Sequence, residues 1–180
     1  MRLARTGLKT ERIYLREFQV SDWQEVHIFA SQERVCRYQP WGPNSLKESQ
    51  SFVKQVLVDS EKEPRTRYAL AIINNNENRL IGAGELNIRD IHNKKGEIGY
   101  IINPNYWGKG IATDVATLLI GFGFHQLQLH RIYATCDPRN IGSIRVLEKA
   151  GMTKEGRIRG DLLMKDGWRD SLLFSVLENE

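Results

Sequence analysis

The run Asn103-Pro104-Asn105-Tyr106-Trp107-Gly108-Lys109-Gly110-Ile111-Ala112-Thr113 holds the residue types best suited to chemistry in this chain. Gly108 and Gly110 let the backbone turn sharply and leave its N–H groups uncovered by side chains. A strand-like stretch, Glu97 to Ile102, runs into this loop, and Pro104 stops it by removing an amide donor. A helical pattern begins near Ile111, so unpaired first-turn amides and the positive end of the helix dipole point back at the loop. Such a corner holds an anion, and a phosphate or diphosphate fits it best. The plain alternative is a glycine turn between a strand and a helix.

Two familiar phosphate loops do not fit. A dinucleotide fingerprint needs G-x-G-x-x-G, and Thr113 stands where the third glycine belongs, followed by Asp114, whose carboxylate would work against a diphosphate. A Walker loop needs lysine after its last glycine, and Gly110 is followed by Ile111.

Downstream, Cys136 to Met152 reads C-D-P-R-N-I-G-S-I-R-V-L-E-K-A-G-M. Asn140 starts a helix and Ser143 lies one turn in, so both project from its N-terminal end. On their own they read as an N-cap and a first-turn hydrogen-bonding residue.

Together the two stretches resemble the GNAT (Gcn5-related) N-acetyltransferases. Trp107-Gly108-Lys109-Gly110-Ile111-Ala112 is similar to the acyl-CoA loop R/Q-x-x-G-x-G/A, with Trp107 at the Arg/Gln position. That departure resembles the RimJ/RimL-like branch, which acetylates protein N-termini, and its small-molecule relatives. Asn140 to Met152 resembles the N-x-x-S-x-x-V-x-E-K-x-G-F signature, with Met152 in place of phenylalanine.

The resemblance implies a cytoplasmic, acetyl-CoA-dependent N-acetyltransferase that moves the acetyl group directly to a primary amine in a ternary complex. It also implies a mixed α/β (α+β) fold in one domain over residues 1–180. A central, mostly antiparallel sheet is flanked by helices, with the acyl-CoA site at the splay between two central strands. Amides from Gly108 through Lys109, Gly110, Ile111 and Ala112 to Thr113 would hold the diphosphate. The Ile101-Ile102-Asn103 edge would take the pantetheine arm, with Asn140 bonding it. An amide near Ile101 or Ile102 would hold the thioester oxygen. Lys109 would help with phosphate charge or simply point at solvent. Ser143 is expected to protonate the departing thiolate, with Tyr133 and Tyr100 in reserve. Glu97 is expected as the base and Asp161 as its runner-up; a surface carboxylate is the alternative for Glu97. Tyr38 and Trp41 would meet the acceptor or merely pack. The acceptor is either a ribosomal-protein N-terminus or a small molecule such as an amino acid, polyamine or antibiotic. A non-catalytic acyl-CoA sensor is the reading from another class. A homodimer is left open.

The elements that must position these residues follow from periodicity. Strands are expected over Thr10 to Phe18, Tyr68 to Ile73, Leu80 to Ile88, Gly96 to Ile102, Arg131 to Cys136, Arg157 to Leu163 and Ser171 to Leu177. Helices are expected from a Ser21-Asp22 cap to Ala30, from Ser45 to Ser60, over Ala112 to Phe124, and from Asn140 to Ala150. The order is β-α-α-β-β-β-α-β-α-β-β. Ile81-Gly82-Ala83-Gly84 suggests a bulge or a close approach.

Composition bounds the rest. The 180 residues are 41% hydrophobic and 27% charged, ordinary for one globular domain, with no run near the ~20 apolar residues of a membrane span. Met1 to Arg12 is basic but lacks an apolar core, unlike a secretory signal. Cys36 and Cys136 are far apart and read as free thiols, and no group has metal-ligand spacing. A net charge of +4, without a Lys/Arg block or an RNA-binding signature, makes direct nucleic-acid binding the weaker reading.

Overall fold

The computed structural model describes residues 8–180, so the expectation about a leader at Met1 to Arg12 falls mostly outside them. The chain runs β1 (Ile13–Glu17), α1 (Trp23–Ala30), a one-turn α2 (Glu33–Cys36), α3 (Leu46–Ser60), β2 (Arg67–Asn74), β3 (Arg79–Asp90) and β4 (Lys95–Ile102). It continues with α4 (Ile111–His125), β5 (Arg131–Cys136), α5 (Ile141–Lys149), β6 (Thr153–Met164) and β7 (Gly167–Leu177). All seven strands form one sheet in the order β1-β2-β3-β4-β5-β7-β6. Every pairing is antiparallel except β4 with β5.

That parallel pair is the important one. It holds only at Lys95↔Arg131, Gly96↔Ile132 and Glu97↔Tyr133, after which the two strands diverge. Beyond Glu97, β4 keeps β3 on one side and faces a gap on the other. The phase of the ladder decides which groups face that gap. The Asn103 amide donates to the Ile81 carbonyl at 2.8 Å, so by antiparallel alternation Ile101 also bonds toward β3. Tyr100 and Ile102 are left to face the gap.

The two faces of the sheet bury separate cores. Ile98, Ile102, Leu86 and Ile132 pack under α4 and α5 with Val115, Leu119, Phe122 and Leu147. Ala69, Ala71, Ile73 and Ala83 pack under α1 and α3 with Val26, Phe29, Val53 and Val56. Both glycines of the Ile81-Gly84 stretch mark close approaches: a Cβ on Gly84 would stand 3.0 Å from Val115 Cγ1, and one on Gly82 would collide with the Ile101 carbonyl. A register shift also falls opposite, at Ile72/Ile73.

Two local expectations change and one holds. Asp22 does not cap α1; it is buried and takes a bidentate pair from Arg16 at 2.7 and 2.9 Å, inside a short 3-10 turn. Ser45 does cap α3, in a reciprocal box with Glu48. The last hairpin is longer than the apolar pattern marks, because Lys154, Glu155, Arg157 and Arg159 cover an exposed sheet edge where no alternation is demanded.

Candidate active site

The glycine loop takes the shape its sequence requires. Gly108 and Gly110 sit at φ +73° and +77°, and Gly110 is the N-cap residue of α4 with no side-chain cap. The amides of Gly108, Lys109, Gly110, Ile111, Ala112 and Thr113 donate to no acceptor among the described residues. Six uncommitted donors at a helix start suit a diphosphate. The Ile111 side chain belongs to the core, so only its amide is available. Lys109 is exposed and lies over the Tyr106 ring. Trp107 takes a bracing position: its indole donates to the Ile102 carbonyl at 2.8 Å and ties the loop to the end of β4.

Asp114, next to the missing third-glycine position, does not oppose an anion as a bare charge. Arg12 grips it at 2.9 and 2.7 Å, and the Thr10 hydroxyl adds a third contact at 3.2 Å. The Arg12 guanidinium is close enough to Gly110 that a Cβ there would touch it. The sequence reading missed this brace, because it joins residues 102 apart.

Asn103 leaves the expected pantetheine edge. It is buried, with its amide on Ile81 and its side chain accepting from the Asn105 amide. Ile101 turns its main chain toward β3, which leaves the Tyr100 and Ile102 amides to face the gap.

A cavity of about 520 Å³ passes through that gap. On the α5 side it is lined by Asn140, Ser143, Leu147, Tyr100 and Cys136. Asn140 is the N-cap its spacing predicts, accepting from the Ser143 amide at 3.1 Å. The Tyr100 hydroxyl is buried and has no hydrogen-bond partner. Burial pushes it up to about 12, and the neighbouring Ser143 hydroxyl works weakly the other way. A phenol in that state is a neutral donor awaiting an acceptor. Burial likewise keeps Cys136 a thiol, pushed up to about 11.

On the α1/α3 side the cavity is lined by Tyr38, Trp41, Phe52, Arg67, Glu85, Arg89, Glu97 and Arg169, among others. Glu97 thus reaches the cavity, with Oε2 accepting from Arg89 Nε at 2.8 Å. Its Oε1 has no hydrogen bond among the described residues. Arg67 bridges Glu85 at 2.6 Å and Asp59 at 3.0 Å. Asp161 is not brought in: it is exposed on the bulged stretch of β6, and its neighbour Leu162 lines the cavity instead. Tyr133 lies opposite Glu97 on β5 outside the cavity wall, its hydroxyl raised by burial and by the Glu97 charge. Arg67, Glu85, Arg89 and Arg169 were missed in the sequence. The polar beat Glu85, Asn87, Arg89 along β3 was the available signal for two of them.

A diphosphate corner, a split parallel strand pair and a cavity through the split are now in place together. The family model for the acetyltransferase (GNAT) domain matches residues 12–153. The chain is a GNAT acetyltransferase. Its curated relatives include the uncharacterized N-acetyltransferase YnaD of Bacillus subtilis, 35% identical over 96% of this chain and 98% of that one. Another is the spermidine N(1)-acetyltransferase of Escherichia coli, 26% identical over 93% and 87%. Among solved structures, a GNAT-family acetyltransferase from Bacillus anthracis superposes with a TM-score of 0.84 at 32% identity, covering 96% of this chain and 99% of that one. The microcin C7 self-immunity acetyltransferase MccE, solved with acetyl-CoA and AMP, shares the fold at a TM-score of 0.84 and 24% identity, covering 97% and 98%. This GNAT enzyme uses acetyl-CoA, and the free amides of Gly108 to Thr113, the open β4 edge and the unpartnered Tyr100 hydroxyl fit that molecule.

Proposed function

We propose that this acetyltransferase acetylates a small-molecule primary amine by direct transfer across the β4/β5 gap. The observation that carries the reading is the single cavity that joins Glu97 on one face of the sheet to Ser143 and Tyr100 on the other. The Gly108 to Thr113 amides bind the diphosphate, and Asn140 with the Ile102 edge orients the arm that follows. Acetyl-CoA supplies the thioester when bound. The Ile102 amide is the donor turned toward the gap, which makes it the oxyanion group in place of Ile101.

Glu97 accepts the proton of the acceptor ammonium through Oε1, while Arg89 holds the carboxylate in place. Ser143 gives a proton to the sulfur side, with the Tyr100 hydroxyl beside it as a second donor. Tyr38 and Trp41 wall the acceptor end. The 38–44 segment forms one wall of that end, and the last hairpin holds it through Arg169 Nη1 to the Tyr38 carbonyl at 2.9 Å and Lys165 Nζ to the Gly42 carbonyl at 2.6 Å. A cavity of about 520 Å³ walled by a segment pinned in this way favours a small amine over a ribosomal-protein N-terminus. Among the described residues no helix is long and apolar enough to cross a membrane, and both thiols are buried and free, in keeping with a cytoplasmic enzyme.

Thiol release from acetyl-CoA, measured on panels of small amines and N-terminal peptides, tests the reading. Turnover on the small amines is expected. Turnover confined to peptides would return the acceptor to a protein N-terminus, and acetyl-CoA binding without turnover on either panel would favour the sensor.

A further inference from the structure

Three cationic side chains line the cavity, and two of them are neutralised in place. Arg67 is paired with Glu85 and Asp59, and Arg89 with Glu97. The third, Arg169 of β7, is more than nine-tenths buried and has no carboxylate within ion-pair distance among the described residues. Its two terminal nitrogens donate only to neutral oxygens, the Tyr38 carbonyl and the Ser171 hydroxyl, each at 2.9 Å. Its Nε is buried without any partner. The buried Asp137 carboxylate, also on the cavity wall, feels the Arg169 charge, but its hydrogen bonds go to the Arg139 amide, Nε and Nη2 at 2.8 to 3.0 Å and none to Arg169.

A buried guanidinium with an orphaned donor and no carboxylate bonded to it is costly unless an anion reaches that donor. Strand alternation puts Arg169 on the same face as Ser171, Leu173 and Ser175, the last of which is registered with Tyr133 and through it with Glu97. The unpaired charge therefore stands at the acceptor end, away from the diphosphate corner.

Resting on the small-amine reading above, we propose that the acceptor carries a carboxylate as well as its amine, as an amino acid does, and that Arg169 selects for it. The amine would point to Glu97 and the carboxylate to Arg169. A polyamine would place a further cation against Arg169 and be disfavoured. The contact from Arg169 to the Tyr38 carbonyl couples carboxylate recognition to the segment that walls the site.

The test compares L-amino acids with their carboxamides and with spermidine, using wild-type enzyme and rates corrected for the free-amine fraction. Wild type should prefer the carboxylate by roughly 10- to 100-fold in kcat/KM, the scale of a hydrogen bond to a charged group. Arg169→Met should erase the preference by raising the acceptor KM, and Arg169→Lys should keep part of it, with acetyl-CoA affinity as the check that each variant folds. Equal rates on carboxylate and carboxamide in wild type overturn the inference without any variant, and so does discrimination that survives Arg169→Met. Turnover of spermidine or neutral amines without preference would leave the transfer reading standing while removing this one. Absence of turnover on every amine would remove both.

Discussion

The two sides of the β4/β5 gap are built from different materials. The acetyl-CoA side uses backbone: six uncommitted amides and two glycines in the left-handed region, all within six residues of one another, together with the capped start of α5. The acceptor side uses charged side chains drawn from β2, β3, β4 and β7, held by the ion pairs of Arg67 with Asp59 and Glu85 and of Arg89 with Glu97, and by the bond from Arg169 to the Tyr38 carbonyl. A backbone site tolerates little variation because glycine geometry is demanding. A side-chain site can be re-specified one residue at a time while the sheet stays the same. On the proposal above, the first side holds the acyl donor, and the second supplies the base Glu97 and chooses the acceptor.

The sharpest way to break that division is at Gly108, where an added Cβ meets nothing within 4 Å and aspartate tolerates the left-handed backbone. Gly108→Asp should fold normally yet place a carboxylate among the amides, lowering acetyl-CoA affinity by roughly 100-fold or more in calorimetric titration. Unchanged affinity would remove the loop from the site. Across the gap, Glu97→Gln should lower kcat by about 100-fold at pH 7 and leave acetyl-CoA affinity intact. Its deficit should shrink as pH rises and the acceptor amine deprotonates in solution. A uniform deficit across the pH profile would mean that Glu97 positions the acceptor without taking its proton. Ser143→Ala should cost roughly 10-fold in kcat, and adding Tyr100→Phe should cost more than the two singles combined if one donor covers for the other.

A smaller effect tests whether the charged face also supports the sheet. Arg131 at 2.6 Å and the Ser175 hydroxyl hold Glu155 well below its ordinary 4.5, at about 2. A folded-state value below the unfolded one gives stability that is complete above about 4.5 and is lost as pH falls toward 2. Glu155 is a third exposed, so solvent discounts the pair, and Glu155→Gln should lower the Tm at pH 7 by only roughly 2 °C. The same variant should flatten the pH dependence of Tm between 4.5 and 2. An unaltered slope would mean that the pair contributes nothing.

The contrast between the two sides also explains what could be read in the sequence. The loop and the Asn140-Ser143 pair were legible because local spacing determines them, and the strand and helix order followed from periodicity. Asn103 and Asp161 lie away from the expected positions, and the choice between the Ile101 and Ile102 amides stayed open, because these depend on ladder phase and on a bulge in β6, neither of which leaves a mark on composition. Arg169 was invisible for a related reason: it lies before the apolar stretch of β7, and only the folded sheet shows that no carboxylate meets it. The Arg12-Asp114 brace joins residues 102 apart, a separation that no window spans.

The central claim is that both half-sites meet in one cavity, so that the acetyl group passes directly between them. Initial rates measured with acetyl-CoA and an amine acceptor varied together test it most directly. Intersecting reciprocal plots, with no acetylated protein detectable by mass spectrometry after incubation with acetyl-CoA alone, are the predicted result. Parallel plots, with acetyl found on Cys136 or Ser143, would contradict it.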